Sequence, residues 1–464
     1  MTIDEILKNY RKTSATEIEK GKKFEVLMKN FLPLNYRGEI EKVMLWQEFS
    51  NEKDLGIDLV AETAGGEFWA IQCKFYAENT VIEKSAVDSF ISNSGRTFNG
   101  KKFSLRIFIS TSDNFTDNAA KMFENQTPPV IQIGMEELRA VAVDWKKLDA
   151  GEVVKLQRNL REYQIEALDA AHEHFKNNSR GKLIMACGTG KTFTSLRIAE
   201  DLTQNCGLVL FLVPSLSLVK QTLNEWTNFS ADAIRAICVC SDKTVAADDD
   251  IKNVMLKIPV TNQPEEISAA VNRKGNFGMT VIFSTYQSIE KVIAANLNFD
   301  LVICDEAHRT AGNSKKDKVS KLFSLVHDNA EIISKRRLYM TATPKLYSEN
   351  LKNTAKEKNL TVWSMDDENI FGKEFFRISF KRAIELNCLS DYKLLIFAVS
   401  ENEVKQAMRA EIFDAVEKFI EEKYGKSSKE IKLSFDVDDI AKLVGTINAM
   451  SKRVTKDSEI LLEG

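Results

Sequence analysis

Hydrophobic positions along this 464-residue chain keep two periods, and each period marks a kind of element. In GKKFEVLMKNFL the apolar residues Phe24, Leu27, Met28 and Phe31 fall at i, i+3, i+4 and i+7, one stripe of a helix. That stripe predicts helical structure over residues 1–32. The runs DLVAET and EFWAIQCKFY, within Asp58–Tyr76, read as strands, and Ala64, Gly65 and Gly66 between them signal a hairpin. SLRIFIST (104–111) and VIQIG (130–134) are further buried-strand candidates with helical stretches between them. Together these predict a compact α/β unit ending near Trp145.

The stretch KLDAGEVVKLQRN (147–159) is polar and reads as a linker. From Leu160 onward a strand, loop and helix repeat through KLIMA, LVLFLVP, MTVIFST, LVICDE and RRLYMTAT. Apolar strands alternating with helices predict a mostly parallel sheet covered on both faces. The charge-rich segment 402–433 reads as helical, and no internal repeat or low-complexity tract occurs. The chain is thus expected to be α/β in two successive domains.

Composition narrows the class without naming a function. Apolar residues are 44% and charged residues 28%, which excludes wholesale disorder. No apolar run approaches a membrane span, and MTIDEILKNYRK has no apolar stretch after its charges, so no secretory signal is expected. The seven cysteines are scattered, and Cys238 and Cys240 lack zinc-site spacing. Such a set reads as reduced, buried thiols of a cytoplasmic protein. The net charge of −3 leaves nucleic-acid binding open, since basic residues can cluster on one face.

The chemistry is concentrated in MACGTGKTFTSLRIAEDL (185–202), where a strand runs through a glycine-rich turn into a helix. That is the setting of a phosphate-binding loop. Gly188, Thr189 and Gly190 let the backbone wrap so that its N–H groups face phosphate, and the helix N-terminus adds a favourable dipole. Lys191 reaches the β/γ-phosphates, and Thr192 offers its hydroxyl to Mg²⁺. Met185 stands where such loops often carry a first glycine. A chance glycine-rich turn is the bland alternative, and LVICDEAHRT (301–310) argues against it. Its strand delivers Asp305 to hold Mg²⁺ and Glu306 to orient and deprotonate the attacking water. His308 either merely starts a helix or couples this site to the next motif. ATP and Mg²⁺ are the implied cofactors.

In this order the motifs resemble the superfamily 2 helicases and translocases of the DEAH type. LREYQIEAL (160–168) is similar to the adenine-reading segment of that family, with Gln164 on the base and Arg161 supporting it. VPSLSLVKQTLNEW (213–226) and STYQS (284–288) resemble its two DNA-backbone motifs, and TATP (341–344) the motif that links hydrolysis to DNA movement. Hydroxyl-rich loops at strand ends suit phosphate contacts. The resemblance implies a RecA-like ATPase domain over 160–390 and double-stranded DNA as partner. DYKLLIFAVS (391–400) resembles the start of a second motor half, with DDIAKLVGTINAMSKR (438–453) as the helical segment before its core. No arginine-finger motif follows, so residues 391–464 are expected to be an incomplete second half and the chain a truncated one.

The N-terminal unit carries a second constellation. Asp58 ends the loop LGID at a strand start, while Gln72 and Lys74 are i and i+2 of the next strand and share a face. The hairpin can bring Asp58 beside them, and Glu25 on the preceding helix can complete the cluster. Asp58 is a hard oxygen ligand for Mg²⁺, and the Gln72 side-chain oxygen can be a second. Lys74 can position or activate water and stabilise phosphorane charge. A solvated Gln and Lys on an outer strand face is the bland reading. Asp54 is an alternative to Asp58, which directly starts the apolar strand. The set resembles the restriction-endonuclease-like fold of the PD-(D/E)xK superfamily in its Mrr-like form, over residues 1–146.

A nuclease of this form followed by a DEAH-type motor half resembles the N-terminal part of a single-polypeptide Type I restriction enzyme of the Type ISP class. The resemblance implies an ATP-dependent restriction endonuclease and DNA translocase. It also implies methyltransferase and target-recognition domains in a longer parent, since no methyl-donor glycine loop or N-P-P-F-like motif occurs here. A DNA-repair or mobile-element helicase with a cutting or docking domain is the alternative. A catalytically silent DNA-binding module is a third reading, against which the Asp58–Gln72–Lys74 set argues.

Overall fold

The first sheet is six-stranded and built from β1 (Ile40–Leu45), β2 (Leu59–Thr63), β3 (Phe68–Lys74), β4 (Thr97–Phe98), β5 (Lys101–Ser110) and β6 (Val130–Ile133). In this computed structural model the described residues are 1–391, without 51, 53–55, 99, 125, 153–155, 241–257, 259, 314–317 and 358–360. The expected hairpin is β2 with β3, antiparallel, Leu59 opposite Ile71. β5 then pairs parallel with β3 on one side and β6 on the other.

The predicted helix over 1–32 is two helices, α1 (Ile3–Thr13) and α2 (Glu17–Asn35). The break has a local cause. Thr16 is extended and its hydroxyl accepts from Glu19 N at 3.1 Å, so it caps a new helix. The stripe Phe24, Leu27, Met28 and Phe31 packs on the sheet face that carries Ile71 and Cys73. The opposite face carries Phe68 and Ala70 and is covered by Val87, Phe90 and Ile91 of α3 (Ser85–Asn93). Past β6, α4 (Met135–Ala140) and α5 (Trp145–Asp149) close the layer, with Trp145 and Leu148 in the first core.

After α6 (Glu162–Asn177) comes the second sheet. Its strands in chain order are β7 (Arg180–Met185), β8 (Gly207–Val213), β9 (Arg235–Val239), β10 (Val260–Thr261), β11 (Met279–Thr285) and β12 (Asn298–Cys304), then β14 (Ile333–Thr341) and β16 (Lys373–Ile378). A small antiparallel pair, β13 (Gly312–Asn313) with β15 (Val362–Trp363), lies beside it. The sheet runs β10-β9-β11-β8-β12-β14-β7-β16, parallel throughout. Both faces are buried: Val209, Phe211 and Val213 enter one core, Leu210 and Leu212 the other. That is why LVLFLV reads as an unbroken apolar run. Helices α7 (Lys191–Thr203) and α8 (Leu216–Phe229) cover the first of these faces.

Residues Met1–Leu389, with both sheets, form one compact unit. The expectations for 392–464, including the helix over 402–433, lie outside the described residues, as does Asp54. No described helix is long and apolar enough to cross a membrane. The cysteines are all free, but they are not all buried. Cys187 and Cys206 are exposed, because one sits in the glycine-rich loop and the other in the turn after α7.

One buried histidine makes stability pH-dependent. His327 bonds Tyr339 Oη through Nδ1 at 3.1 Å and Thr310 O through Nε2 at 3.2 Å. Burial pushes its pKa from 6.5 down to about 3. The unfolded chain therefore takes up a proton that the folded chain refuses. The stabilising contribution is whole above pH 6.5 and is lost as pH falls toward 3, by about 1.4 kcal/mol per unit. The stability advantage of the parent over His327→Asn should shrink by about 2 kcal/mol between pH 7 and 5 in denaturant melts. An advantage that stays constant with pH would contradict this.

Candidate active sites at two sets of strand ends

The phosphate-loop residues lie where β7 ends. Gly188 and Gly190 have φ of +79° and +80°, the left-handed region that glycine enters without strain. A Cβ on Gly190 would stand 2.7 Å from Gln164 Nε2. Thr189 is buried, with Oγ1 donating to Ala186 O at 2.7 Å, and the Lys191 ammonium folds back on Met185 O at 3.2 Å. Asp305 follows β12, and its backbone N–H donates to Leu212 O on β8. Its carboxyl is pushed up to about 6, first by burial and then by Glu306, against the pull of Lys191. Lys191 and Asp305 thus face one site from two loops.

Glu306 holds a left-handed backbone, φ +47°, and its N–H donates to Asp305 Oδ1 at 2.9 Å. This turn directs its carboxylate toward His308, whose Nδ1 lies 3.2 Å from Glu306 Oε2 and 3.0 Å from Thr341 Oγ1. Burial lowers the His308 pKa, and Glu306 partly opposes that. The DNA-type motifs occupy the same edge. Tyr286 Oη donates to Asp305 O at 2.8 Å, Gln287 Nε2 to Pro214 O at 3.3 Å, and Ser215 caps α8. Tyr286 is a link that the motif pattern did not single out; only its place inside STYQS hinted at it.

Gln164 sits differently from an amide open to a base. It is buried; its Nε2 donates to Thr189 O, Gly190 O and Thr194 Oγ1, and its Oε1 accepts from Arg161 N. Tyr163, which sequence reasoning passed over, donates to Thr189 O at 2.8 Å. Both side chains brace the loop from behind. Arg161 lines a neighbouring cleft of about 330 Å³ with Tyr163, Glu162, Arg377, Arg382 and Cys388.

Truncating Lys191 removes the point charge that faces Asp305 and leaves the loop backbone unchanged. Lys191→Ala should weaken nucleotide binding at least about tenfold, the loss expected when a charged hydrogen bond worth ~1.5–3 kcal/mol is removed. Titration with a fluorescent ATP analogue reads this, and equal affinity in parent and variant would count against the loop assignment.

The nuclease-type residues gather where β3 ends. Asp58 N donates to Ile71 O, which places Asp58 across from Gln72, and Asp58 Oδ2 accepts from Cys73 N at 2.6 Å. Gln72 is 0% exposed, and neither Oε1 nor Nε2 has a hydrogen-bond partner. A buried amide with both ends unmet needs a reason. The space around it is tight: a Cβ on Gly56, at φ +80°, would stand 3.2 Å from Gln72 Nε2 and 3.0 Å from Ser89 Oγ. Lys74, two residues on, is half-buried at the end of β3. Burial pushes the Cys73 thiol up, Asp58 and then Glu25 push the same way, and Lys74 opposes them. All three charged candidates therefore reach this strand end. Glu25 comes from α2, which packs on the Cys73 face, whereas Gln72 alternates to the face that α3 covers.

The pairing of Asp58 with an unpartnered amide oxygen fits a hard divalent cation. Among the described residues no group of three or more acids, histidines or cysteines is arranged around a metal position. One carboxylate and one amide would then share a cation with water.

A family model described as a restriction endonuclease matches residues 33–155, and one described as the res subunit of a Type III restriction enzyme matches residues 157–346. The solved ATP-dependent Type ISP restriction-modification enzyme LlaBIII, bound to DNA, is 34% identical with a TM-score of 0.70, over 97% of this chain and 28% of that one. The order of a nuclease-type unit followed by a motor-type unit in this chain is similar to that of this Type ISP enzyme. The motor half has further relatives. A probable helicase of African swine fever virus is 29% identical over 239 residues, 51% of this chain and 24% of that protein. The endonuclease subunit of the Type I restriction enzyme EcoAI of Escherichia coli is 27% identical over 239 residues, with the same shares. The Type ISP-like chain thus spans about a quarter of the length of these relatives.

Proposed function

We propose that the chain is the cutting and ATP-driven end of a restriction enzyme acting on double-stranded DNA in the cytoplasm. The observation that carries the reading is the coexistence, in one unit, of a lysine–carboxylate nucleotide site and a carboxylate–amide–lysine strand end. In the motor, backbone N–H groups of 188–190 and Lys191 hold the phosphates, and Thr192 and Asp305 are the residues for Mg²⁺. Glu306 takes a proton from the attacking water, and His308 holds Glu306 in register with Thr341. Arg161 supports the base from its cleft, and Gln164 braces the loop from behind.

In the nuclease, Asp58 and the Gln72 oxygen are the residues for Mg²⁺. A bound cation there would supply charge neutralisation at the scissile phosphate. Lys74 positions the water and stabilises charge on phosphate oxygens. Glu25, on α2, adds a third charge to this strand end.

The test uses supercoiled plasmid and a fluorescent ATP analogue with the parent chain in Mg²⁺. Nicking together with saturable nucleotide binding supports the reading. Absence of both would overturn it.

A further inference from the structure

Helix α8 leaves the first DNA-type motif and touches three parts of the molecule. At its C-terminal end Trp226, fully buried beside Phe211 and Phe283, donates from Nε1 to Thr192 O at 3.1 Å. Trp226 is therefore tied to the first turn of the phosphate-loop helix α7. Two turns earlier Lys220 reaches out of the motor layer. Its ammonium lies 2.7 Å from Glu137 Oε1 and 3.1 Å from Glu136 Oε2, both on the nuclease helix α4. At the other end of α4, Ala140 O accepts from Asn228 Nδ2 at 3.0 Å. α8 thus holds α4 at its first turn and at its last residue.

The charge arrangement makes Lys220 more than a surface contact. Its side chain is 15% exposed and that of Glu137 11%. Burial alone would lower the Lys220 pKa, yet Glu137 and Glu136 together raise it. Glu137 Oε2 also accepts from Gly134 N, and Asp113 Oδ1 accepts from Met135 N. Burial and Glu137 raise the Asp113 pKa. Three carboxylates thus converge on the start of α4; Lys220 of the motor pairs with Glu136 and Glu137, and Arg139 of α4 acts on Asp113. The connecting segment adds a second tie. Arg158 pairs with Glu225 of α8 at 2.8 Å and lies 4.7 Å over the ring of Phe193 on α7, while Leu156 N donates to Ala142 O.

We propose that α8 carries the nucleotide state of the motor to the nuclease, with Lys220 as the positioning residue that makes α4 follow. This rests on the functional reading above. A change in the first turn of α7 pulls on Trp226, α8 moves as a rigid element, and Lys220 draws the first turn of α4 with it, while the Asn228 contact holds the last residue of α4 in place. Position alone does not establish coupling; a response at one end to a ligand at the other does.

The experiment is amide hydrogen exchange over Met135–Ala140, with and without magnesium and adenylyl imidodiphosphate. In the parent, exchange there should change at least about fivefold on nucleotide binding. In Glu136→Gln/Glu137→Gln the amide oxygens still accept at the helix start, so α4 should remain folded, as a thermal melt reports. That variant should bind the analogue as the parent does, and its α4 response should vanish. Lys220→Gln should lose the response too. A parent that binds the analogue with no change at α4, or a Gln variant that responds like the parent, overturns the proposal. A parent that binds no analogue overturns the functional reading instead, and this inference with it.

Discussion

Asp58→Ala and Lys74→Ala should each lower nicking of supercoiled plasmid in Mg²⁺ by at least about 10²–10³-fold, the loss seen when one electrostatic group is removed from a reacting phosphate or carbonyl. Nucleotide affinity should not change, because these residues lie on the first sheet and the phosphate loop on the second. Gln72 separates a catalytic from a structural role. Its amide is buried with both polar atoms unmet, an arrangement that costs about 1–3 kcal/mol. Gln72→Leu should therefore melt at a higher temperature than the parent while losing nicking. A Leu variant that is less stable would mean that the amide holds the strand end together. Asp58 or Lys74 variants that cut as fast as the parent would remove the nuclease assignment.

Glu306→Gln should reduce steady-state ATP hydrolysis by about 10²–10⁴-fold while nucleotide still binds. The carboxamide keeps the side-chain length and the contact with His308 but cannot take a proton from water. Binding should persist because Lys191 and the 188–190 backbone are unaltered. The measurement is phosphate release with duplex DNA present, beside a fluorescent-nucleotide titration. Retention of hydrolysis would move the base to another group; joint loss of binding would show that the Gln side chain disturbs the turn at φ +47°.

Where burial was two-sided, sequence and structure agree closely. LVLFLVP, MTVIFST and LVICDE are strands because each buries alternate residues in both cores. Strands with mixed faces were missed. β1 alternates irregularly and carries a register shift between Ile40 and Lys42, and β16 is an edge strand with a shift between Glu374 and Phe376. Neither shows a clean period of two. Site residues followed the same logic. Gly188, Gly190, Lys191, Asp305 and Glu306 are ordered by local chain geometry, so their motifs place them together. Gln164 and Glu25 depend on tertiary packing. No spacing tells that the Gln164 amide bonds the loop backbone, or that the α2 stripe packs on the face opposite Gln72. The unmet Gln72 amide is likewise a property of its surroundings, since only the packed site reveals Gly56 and Ser89 beside it.

The central claim is that two separate active sites, each with its own catalytic residues, share this unit. The most direct measurement runs plasmid nicking and DNA-dependent ATP hydrolysis side by side on Lys74→Ala and Glu306→Gln. The account predicts a crossed result: Lys74→Ala hydrolyses ATP without cutting, and Glu306→Gln cuts in Mg²⁺ without hydrolysing ATP. Loss of both activities in either variant, or retention of both, would contradict it.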